Sequence, residues 1–388
     1  MSKTIRLVSA VALIASLFAM TMSASAYHDG SGEYHPIAND RFQETWERTD
    51  RPVAETEVAR TWIWGPGGFT EGLTEAYAEA EGGERQVQYF DKSRMEMPLT
   101  DEAAAAAEDS PWQITQGLLA TELITGRLQL GDDTFEQYDP AAIPVAGDPD
   151  DTTGPTYAAM GQYLDWDPRT EGATITQFMG RGGQVDDLDH LASYGVTDAH
   201  YVEQTDHNVA SVFWEFMNRD GTVSEGGEYV EDELFENPFY AVGYPITEAY
   251  WGWFEVDDQA QNVLVQCFER RCLTYAPDNP DGWQVESGNV GQHYYKWRYE
   301  IIEDEKPTDP PVVDSFSVSP SDATNTIGGT HEITVSVEDQ YDEPFEGAEV
   351  SAEVTAGPHD DTVLEPADAT TGENGSVTLS YEGVEVGD

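Results

Sequence analysis

Apolar and polar positions divide this chain into stretches of different period. An unbroken apolar run from Leu7 to Met20 follows Lys3 and Arg6 and closes on Ala24-Ser25-Ala26. Charge, apolar run and small residues in that order predict a signal peptide over residues 1–26, and the run is shorter than the ~20 residues that span a bilayer. No other stretch approaches spanning length, so an exported chain beginning near Tyr27, with no transmembrane segment in its mature part, is expected.

Downstream, short helical patterns (Phe42 and Trp46; Phe213 and Phe216) give way to period-2 alternation, the signature of half-buried strands. The blocks also repeat. Thr74-Glu75-Ala76-Tyr77 recurs as Thr247-Glu248-Ala249-Tyr250, and Val87-Gln88-Tyr89-Phe90-Asp91-Lys92 recurs as Val265-Gln266-Cys267-Phe268-Glu269-Arg270. Gly65-Pro66 answers Gly243-Tyr244-Pro245, and Asp50-Arg51-Pro52-Val53 answers Asp220-Gly221-Thr222-Val223. Blocks in the same order imply two copies of one module, roughly 40–100 and 207–300. Between them Thr115–Ile124 has helical spacing ending near Gly126, Ala103–Ala107 reads as surface helix or linker, and Asp148–Gly154 reads as a loop. Alternation of Tyr295, Trp297 and Tyr299 with Tyr294, Lys296 and Arg298 predicts a closing strand.

The expected domains are therefore the signal peptide, a first aromatic α+β module with its connecting region over 27–165, and the second copy over 166–302. A proline-rich acidic linker over 303–313 and a last domain over 314–388 follow. In that last domain Trp and Cys vanish, Thr and Val rise, and strands are predicted at Phe316–Val318, His331–Glu338, Glu349–Thr355 and Gly375–Tyr381, a sandwich pattern. The fold class is multidomain: β-rich α+β modules with short helices, then an all-β sandwich.

Composition changes the picture in one respect. Asp and Glu number 75 against 18 Lys and Arg, a net charge of −57, yet 11% of residues are aromatic, enough to fill a core. The acidic surface, with only Lys3, Lys92, Lys296 and Lys306 as lysines, resembles that of proteins from extreme halophiles. Nucleic acid and anionic lipid are excluded as electrostatic partners, since no basic patch exists to meet phosphates.

Candidate chemistry is sparse. Cys267 and Cys272 fall on opposite faces if their segment is one strand, and directly opposite each other if Glu269-Arg270 is a two-residue turn. Glu-Arg is poor turn chemistry, but a single pair in an exported chain tips the reading towards a disulfide. Trp62 with Trp64, and Trp251 with Trp253, are each expected on one face of a strand. Exposed, they are candidate glycan contacts; buried, they are module core, the favoured reading because small modules need large residues. Asp186-Asp187-Leu188-Asp189-His190, with His200 and His207 following, lacks metal-ligand spacing. The Asp148–Gly154 loop offers oxygens for at most a weak calcium site, without the order or distal Glu of a calcium loop. No cofactor is expected. Asn374-Gly375-Ser376 is a glycosylation sequon in an expected hairpin turn. No nucleophile elbow, phosphate loop or dinucleotide fingerprint occurs, and abundant acids conceal any catalytic carboxylate pair.

Two resemblances add to this. Ser319-Pro320 to Gly328-Gly329, Ile333–Asp339, Pro344–Val350 and Gly372-Glu373-Asn374-Gly375 are similar to the immunoglobulin-like repeat of invasin and intimin type, over about 314–388. That resemblance implies an extracellular spacer or adhesive domain, expected here to be incomplete because that family continues into one more strand. Gly243-Tyr244-Pro245-Ile246-Thr247-Glu248 and Gly288-Asn289-Val290-Gly291 resemble LGFP repeats of bacterial cell-wall-associated proteins, as well as uncharacterised extracellular modules, which implies surface or glycan association. The resulting expectation is a secreted, halophilic cell-surface or envelope protein with a non-enzymatic adhesive, structural or binding role towards glycan or protein. The alternative is an extracellular glycan-acting hydrolase using carboxylates.

Overall fold

The computed structural model describes residues 34–97, 100, 110–256, 259–302, 312–321, 324, 326–340, 344–355, 362–367, 369–372 and 374–383. The expected signal peptide, Ala103–Ala107 and most of the 303–313 linker lie outside the described residues. The chain divides into two compact units between Glu300 and Ile301. It is β-rich, with short helices and several small sheets.

The first unit opens with α1 (Asp40–Thr49), capped by Asn39, whose side chain accepts from the Phe42 amide, and carrying Phe42 and Trp46 inward. After α2 (Arg51–Ala54) come β1 (Leu73–Ala76), β2 (Glu84–Phe90) and β3 (Ser93–Glu96), one antiparallel sheet. Helix α3 (Leu119–Thr125) ends on Gly126 in the left-handed conformation, the stop its sequence predicts. The connecting region holds β4 (Arg127–Gln129), β5 (Phe135–Gln137), α4 (Tyr157–Met160), β6 (Gln177–Met179), β7 (Val185–Asp187), β8 (Asp198–Val202) and β9 (His207–Ala210). The second copy follows with α5 (Ser211–Met217), the hairpin β10 (Asp220–Glu225) and β11 (Glu228–Glu233), β12 (Tyr250–Val256), β13 (Gln259–Cys267), β14 (Cys272–Tyr275), β15 (Val285–Ser287) and α6 (Val290–Lys296). Strands β12–β15 join β6 and β7 in a six-stranded sheet of order β15-β14-β13-β12-β6-β7. One apolar core takes side chains from both copies, among them Phe42, Trp64, Phe90, Phe213, Trp251 and Phe268.

Buried glutamines fix how the copies correspond. Gln88 donates to the carbonyls of Pro36 (3.0 Å) and Thr70 (2.8 Å) and accepts from the Ala38 amide. Gln266 donates to Asn208 and Thr247 and accepts from the Ala210 amide. Thr70 and Thr247 in turn accept, through their hydroxyls, from the amides of Tyr89 and Cys267. Thr70-Glu71 is therefore the counterpart of Thr247-Glu248, and the alignment that paired Thr74–Tyr77 with Thr247–Tyr250 is displaced by one block. Clamp geometry, not the longer string of identical letters, sets the register. Strand pairing confirms the corrected frame: Leu73 lies opposite Val87 as Tyr250 lies opposite Val265. The same frame pairs His35 with His207. His35 Nδ1 lies 3.9 Å from Glu71 and His207 Nδ1 lies 3.4 Å from Glu248.

The copies also cap each other. In the second copy the amide of Gln292, at the start of α6, donates to Asp91 O in the turn of the first copy's β2–β3 hairpin. In the first copy the matching amide of Thr121, at the start of α3, donates to Glu269 O in the turn of the second copy's β13–β14 hairpin. Gly291 permits this approach, since a Cβ there would stand 1.9 Å from Phe90 O.

Two local expectations are overturned. Residues 294–299 belong to α6 and the π-helical turn that follows it, not to a strand, and Val290, Tyr294 and Trp297 recur at helical spacing on the buried side. The alternating aromatics reflect rings on several faces of a nearly enclosed helix. Residues 60–65 form an irregular loop, so Trp62 and Trp64 share no strand face. Asp50 holds that loop, its carboxylate accepting from the amides of Ile63, Trp64 and Gly65.

In the second unit β16 (Val313–Ser319), β17 (Thr330–Asp339) and β20 (Ser376–Glu382) form one antiparallel sheet, with β18 (Glu349–Val350) and β19 (Ala369–Thr370) in another. Val335, Val337, Ala348, Leu364, Ala369 and Leu379 fill its small core. Strand β16 is exposed along its length, and the predicted strand over 349–355 is reduced to two residues.

Candidate functional site

The first copy's sheet is built around buried charge. Arg94, fully buried on β3, donates to Glu75 on β1 (2.9 Å) and to Glu96 on its own strand (2.9 Å through Nε). Arg298 reaches Glu75 at 3.1 Å and Arg85 reaches Glu96 at 2.9 Å. Tyr299 donates to Glu75 (2.8 Å), as does Tyr89, and Tyr294 donates to Glu122. Two carboxylates, Glu75 and Glu96, thus face three guanidiniums, a paired network of the kind a low-dielectric interior tolerates. Burial pushes Glu75 up, but Arg94, Arg298 and the two tyrosines outweigh it and hold the carboxyl at about 2. Glu96 is likewise lowered, burial being overcome by Arg94 and Arg85. Burial raises Glu122, which has no guanidinium in salt-bridge range among the described residues.

A cavity of about 330 Å³ opens at the Arg85–Glu96 end of this network. That lies at the lower end of the ~300–1,000 Å³ typical of ligand sites. Tyr77, Arg85 and Glu96 line it together with Trp112 and Arg270, and Thr115, Gln116, Gly117, Leu118 and Gln129 complete the lining. Arg85 stacks on Tyr77 (4.1 Å to the ring centroid) and Arg270 on Trp112 (5.1 Å). Trp112 is 39% exposed. Gly117 has φ +70°, and a Cβ there would lie 2.5 Å from both Arg94 Nη2 and Glu96 Oε1, so only glycine lets the chain cover that ion pair.

Three groups at the cavity keep unused hydrogen-bonding capacity. Arg85 is 9% exposed, and its Nε has no hydrogen-bond partner. Gln129 engages its backbone amide with Glu122, while its side-chain amide has no partner among the described residues. Arg270 donates to the Tyr240 carbonyl and has no carboxylate within 4 Å among the described residues. Elsewhere, buried acids have partners: Arg169 binds Asp198 (2.8 Å), and Glu248 accepts from the Asn208 amide (2.7 Å).

Of the residues singled out in the sequence, Cys267 and Cys272 are brought together and the others do not gather into one site. Trp64 and Trp251 are buried at 1% and 0%, Trp62 is half-buried, and Trp253 is 50% exposed in the middle of β12. The corrected register also separates the pairs, Trp64 matching Val242 and Trp251 matching Thr74. Cys267 and Cys272 stand directly opposite across a Glu269-Arg270 turn and are joined, S–S 2.03 Å. Asn374 is exposed in its turn, accepting from the Ser376 amide. The oxygens of Asp151 are taken by the amide and hydroxyl of Thr153 and the amide of Gly154. His200 stacks on Trp214, and His207 contacts Glu248, so the acidic run at 186–190 gathers neither. Among the described residues no group of three His, Cys, Asp or Glu could hold a metal, and no helix is long and apolar enough to cross a membrane. The cavity residues Arg85, Trp112, Thr115 and Arg270 were not singled out. Their one signal is scarcity, since each cation in so acidic a chain invites a search for its carboxylate.

No family model, curated protein or solved structure matches this chain.

Proposed function

We propose that this is a secreted, halophilic cell-surface or envelope protein that binds without catalysis, its duplicated region holding the ligand and its C-terminal unit serving as an immunoglobulin-like spacer. The observation that carries the choice is the state of Glu96, the carboxylate lining the cavity. A glycan hydrolase needs a carboxyl raised towards neutrality as its acid. Glu96 is held ionised between Arg85 and Arg94, and Thr115 also donates to it. The half-exposed Trp112 beside Arg270 suits recognition of a flat or charged group instead.

The test uses the full chain at molar salt, with isolated envelopes and immobilised polysaccharides. Saturable association with no release of reducing ends is expected. Glycan turnover that disappears in Glu96→Gln would overturn the reading, as would absence of any association.

A further inference from the structure

The cavity beside the Arg85–Glu96 pair presents both signs of charge to whatever enters it. Arg85 and Glu96 pair at 2.9 Å, and Thr115 donates to the same carboxylate. Burial draws the Arg270 guanidinium down while Glu269, Tyr240 and Glu96 oppose it, so carboxylates already act on the other cation of the lining. An anion would meet Glu96, and a cation would meet Arg85 and Arg270. An uncharged ligand is repelled by neither. The groups left to bind it are an amide, one side of a guanidinium and an indole. Gln129 keeps its whole side-chain amide, one acceptor and two donors, without a partner among the described residues, and neither polar atom is enclosed. Arg270 engages only Nη1, on the Tyr240 carbonyl; its Nε and Nη2 have no partner among the described residues and are not enclosed. Tyr77 is buried, with Arg85 at 4.1 Å from its ring centroid, so the accessible aromatic surface of the cavity is that of Trp112, 39% exposed. That indole is held in place. Arg270 lies 5.1 Å from its centroid, Tyr240 makes an edge contact at 5.3 Å, and the Ser110 hydroxyl accepts from its backbone amide.

We propose that this cavity binds an uncharged pyranose, one C–H face of the sugar ring lying on Trp112 and its hydroxyls bonded by the Gln129 amide and the open side of Arg270. The inference rests on the binding role proposed above and names its ligand class. Sugar hydroxyls both donate and accept, as the Gln129 amide does, whereas a carboxylate only accepts and would leave the Gln129 carbonyl oxygen unmatched. A ring is favoured over an open-chain polyol because its C–H groups form one flat apolar face and it has fewer torsions to order on binding. At about 330 Å³ the cavity has the volume of a small-ligand site. An uncharged ligand is also indifferent to the net charge of −57, which repels anions from the surface at low salt.

The experiment is calorimetric titration of the full chain at molar salt with the methyl pyranosides of D-glucose, D-galactose, D-mannose and N-acetyl-D-glucosamine. D-Glucitol and D-glucuronate serve as the open-chain and anionic counterparts. At least one pyranoside is expected to bind saturably, with glucitol and glucuronate at least tenfold weaker. Trp112→Ala is expected to weaken that pyranoside roughly tenfold or more, and Gln129→Leu, which keeps the side chain's bulk and loses its amide, roughly fivefold to tenfold. Both melting temperatures should stay close to the parent's, and Gln129→Leu serves if Trp112→Ala fails to fold. Glucitol or glucuronate binding as tightly as the best pyranoside, or unaltered binding in either folded variant, would overturn the proposal. If no pyranoside binds while envelope association persists, the ligand class falls and the binding role stands; if neither is seen, both fall.

Discussion

The β2–β3 and β13–β14 hairpins are the same element built twice, and they are held by different chemistry. Tyr89 faces Arg94 where Cys267 faces Cys272. In the first copy that position anchors Glu75, Glu96 and their arginines; in the second a covalent bridge stands among Val263, Leu264 and Leu273. A disulfide closes a hairpin and asks nothing of its surroundings. A buried guanidinium demands carboxylates, hydroxyls and a close-fitting Gly117, and the cavity lies at the margin of that arrangement. The copy with the polar network carries the cavity at the edge of that network.

The comparison can be broken most forcefully at Arg94. Arg94→Met leaves Glu75 and Glu96 without their shared cation, and the loss should be about 3–5 kcal/mol by chemical denaturation. Grafting the bridge with Tyr89→Cys and Arg94→Cys should not restore stability, because Glu75 and Glu96 are each left with a single guanidinium, Arg298 and Arg85; recovery to the parent value would show that the two solutions are interchangeable. Removing the real bridge by Cys267→Ala with Cys272→Ala should cost less, about 2 kcal/mol for so short a loop. A larger loss there than at Arg94 would reverse the ranking.

Gly117→Ala should cost about 1–2 kcal/mol from its left-handed backbone alone. Its counterpart Gly288, where no positive φ arises and a Cβ would meet Val145 O at 3.0 Å, should cost less. Thermal melts of both variants decide it. Acid gives the finest contrast. Glu75 is held at about 2 against an ordinary 4.5, so its stabilisation is full above pH 4.5 and is lost as pH falls through 2. Asp50 and Glu122, raised by burial, contribute in the opposite sense. Glu75→Gln should therefore flatten the acid limb of the stability curve between about pH 4.5 and 2; an unchanged limb would remove Glu75 as its source.

How much of this was legible in the sequence follows from the range of the forces involved. The duplication, the stop of α3 at Gly126, and the hairpin geometry that places Cys267 opposite Cys272 depend on neighbours within a few positions. The true register does not. His35 and His207 correspond, yet their flanking residues differ, and only the glutamine clamps reaching back from β2 and β13 align them. The strand expected at 294–299 failed because aromatic rings packed around a helix imitate alternation. The cavity was invisible because it joins Arg85 and Thr115 to Arg270, far apart in the chain.

Reciprocal capping of the hairpin turns by α3 and α6 bears on how such a chain could arise. Each half supplies the amide that the other half's turn requires, so neither is complete alone. That is the arrangement of a two-fold homodimer whose partners have since been fused. Once one gene encoded both halves, symmetry no longer bound them, and matching positions could diverge, Glu96 facing Thr115 in one half where Thr274 faces Glu286 in the other.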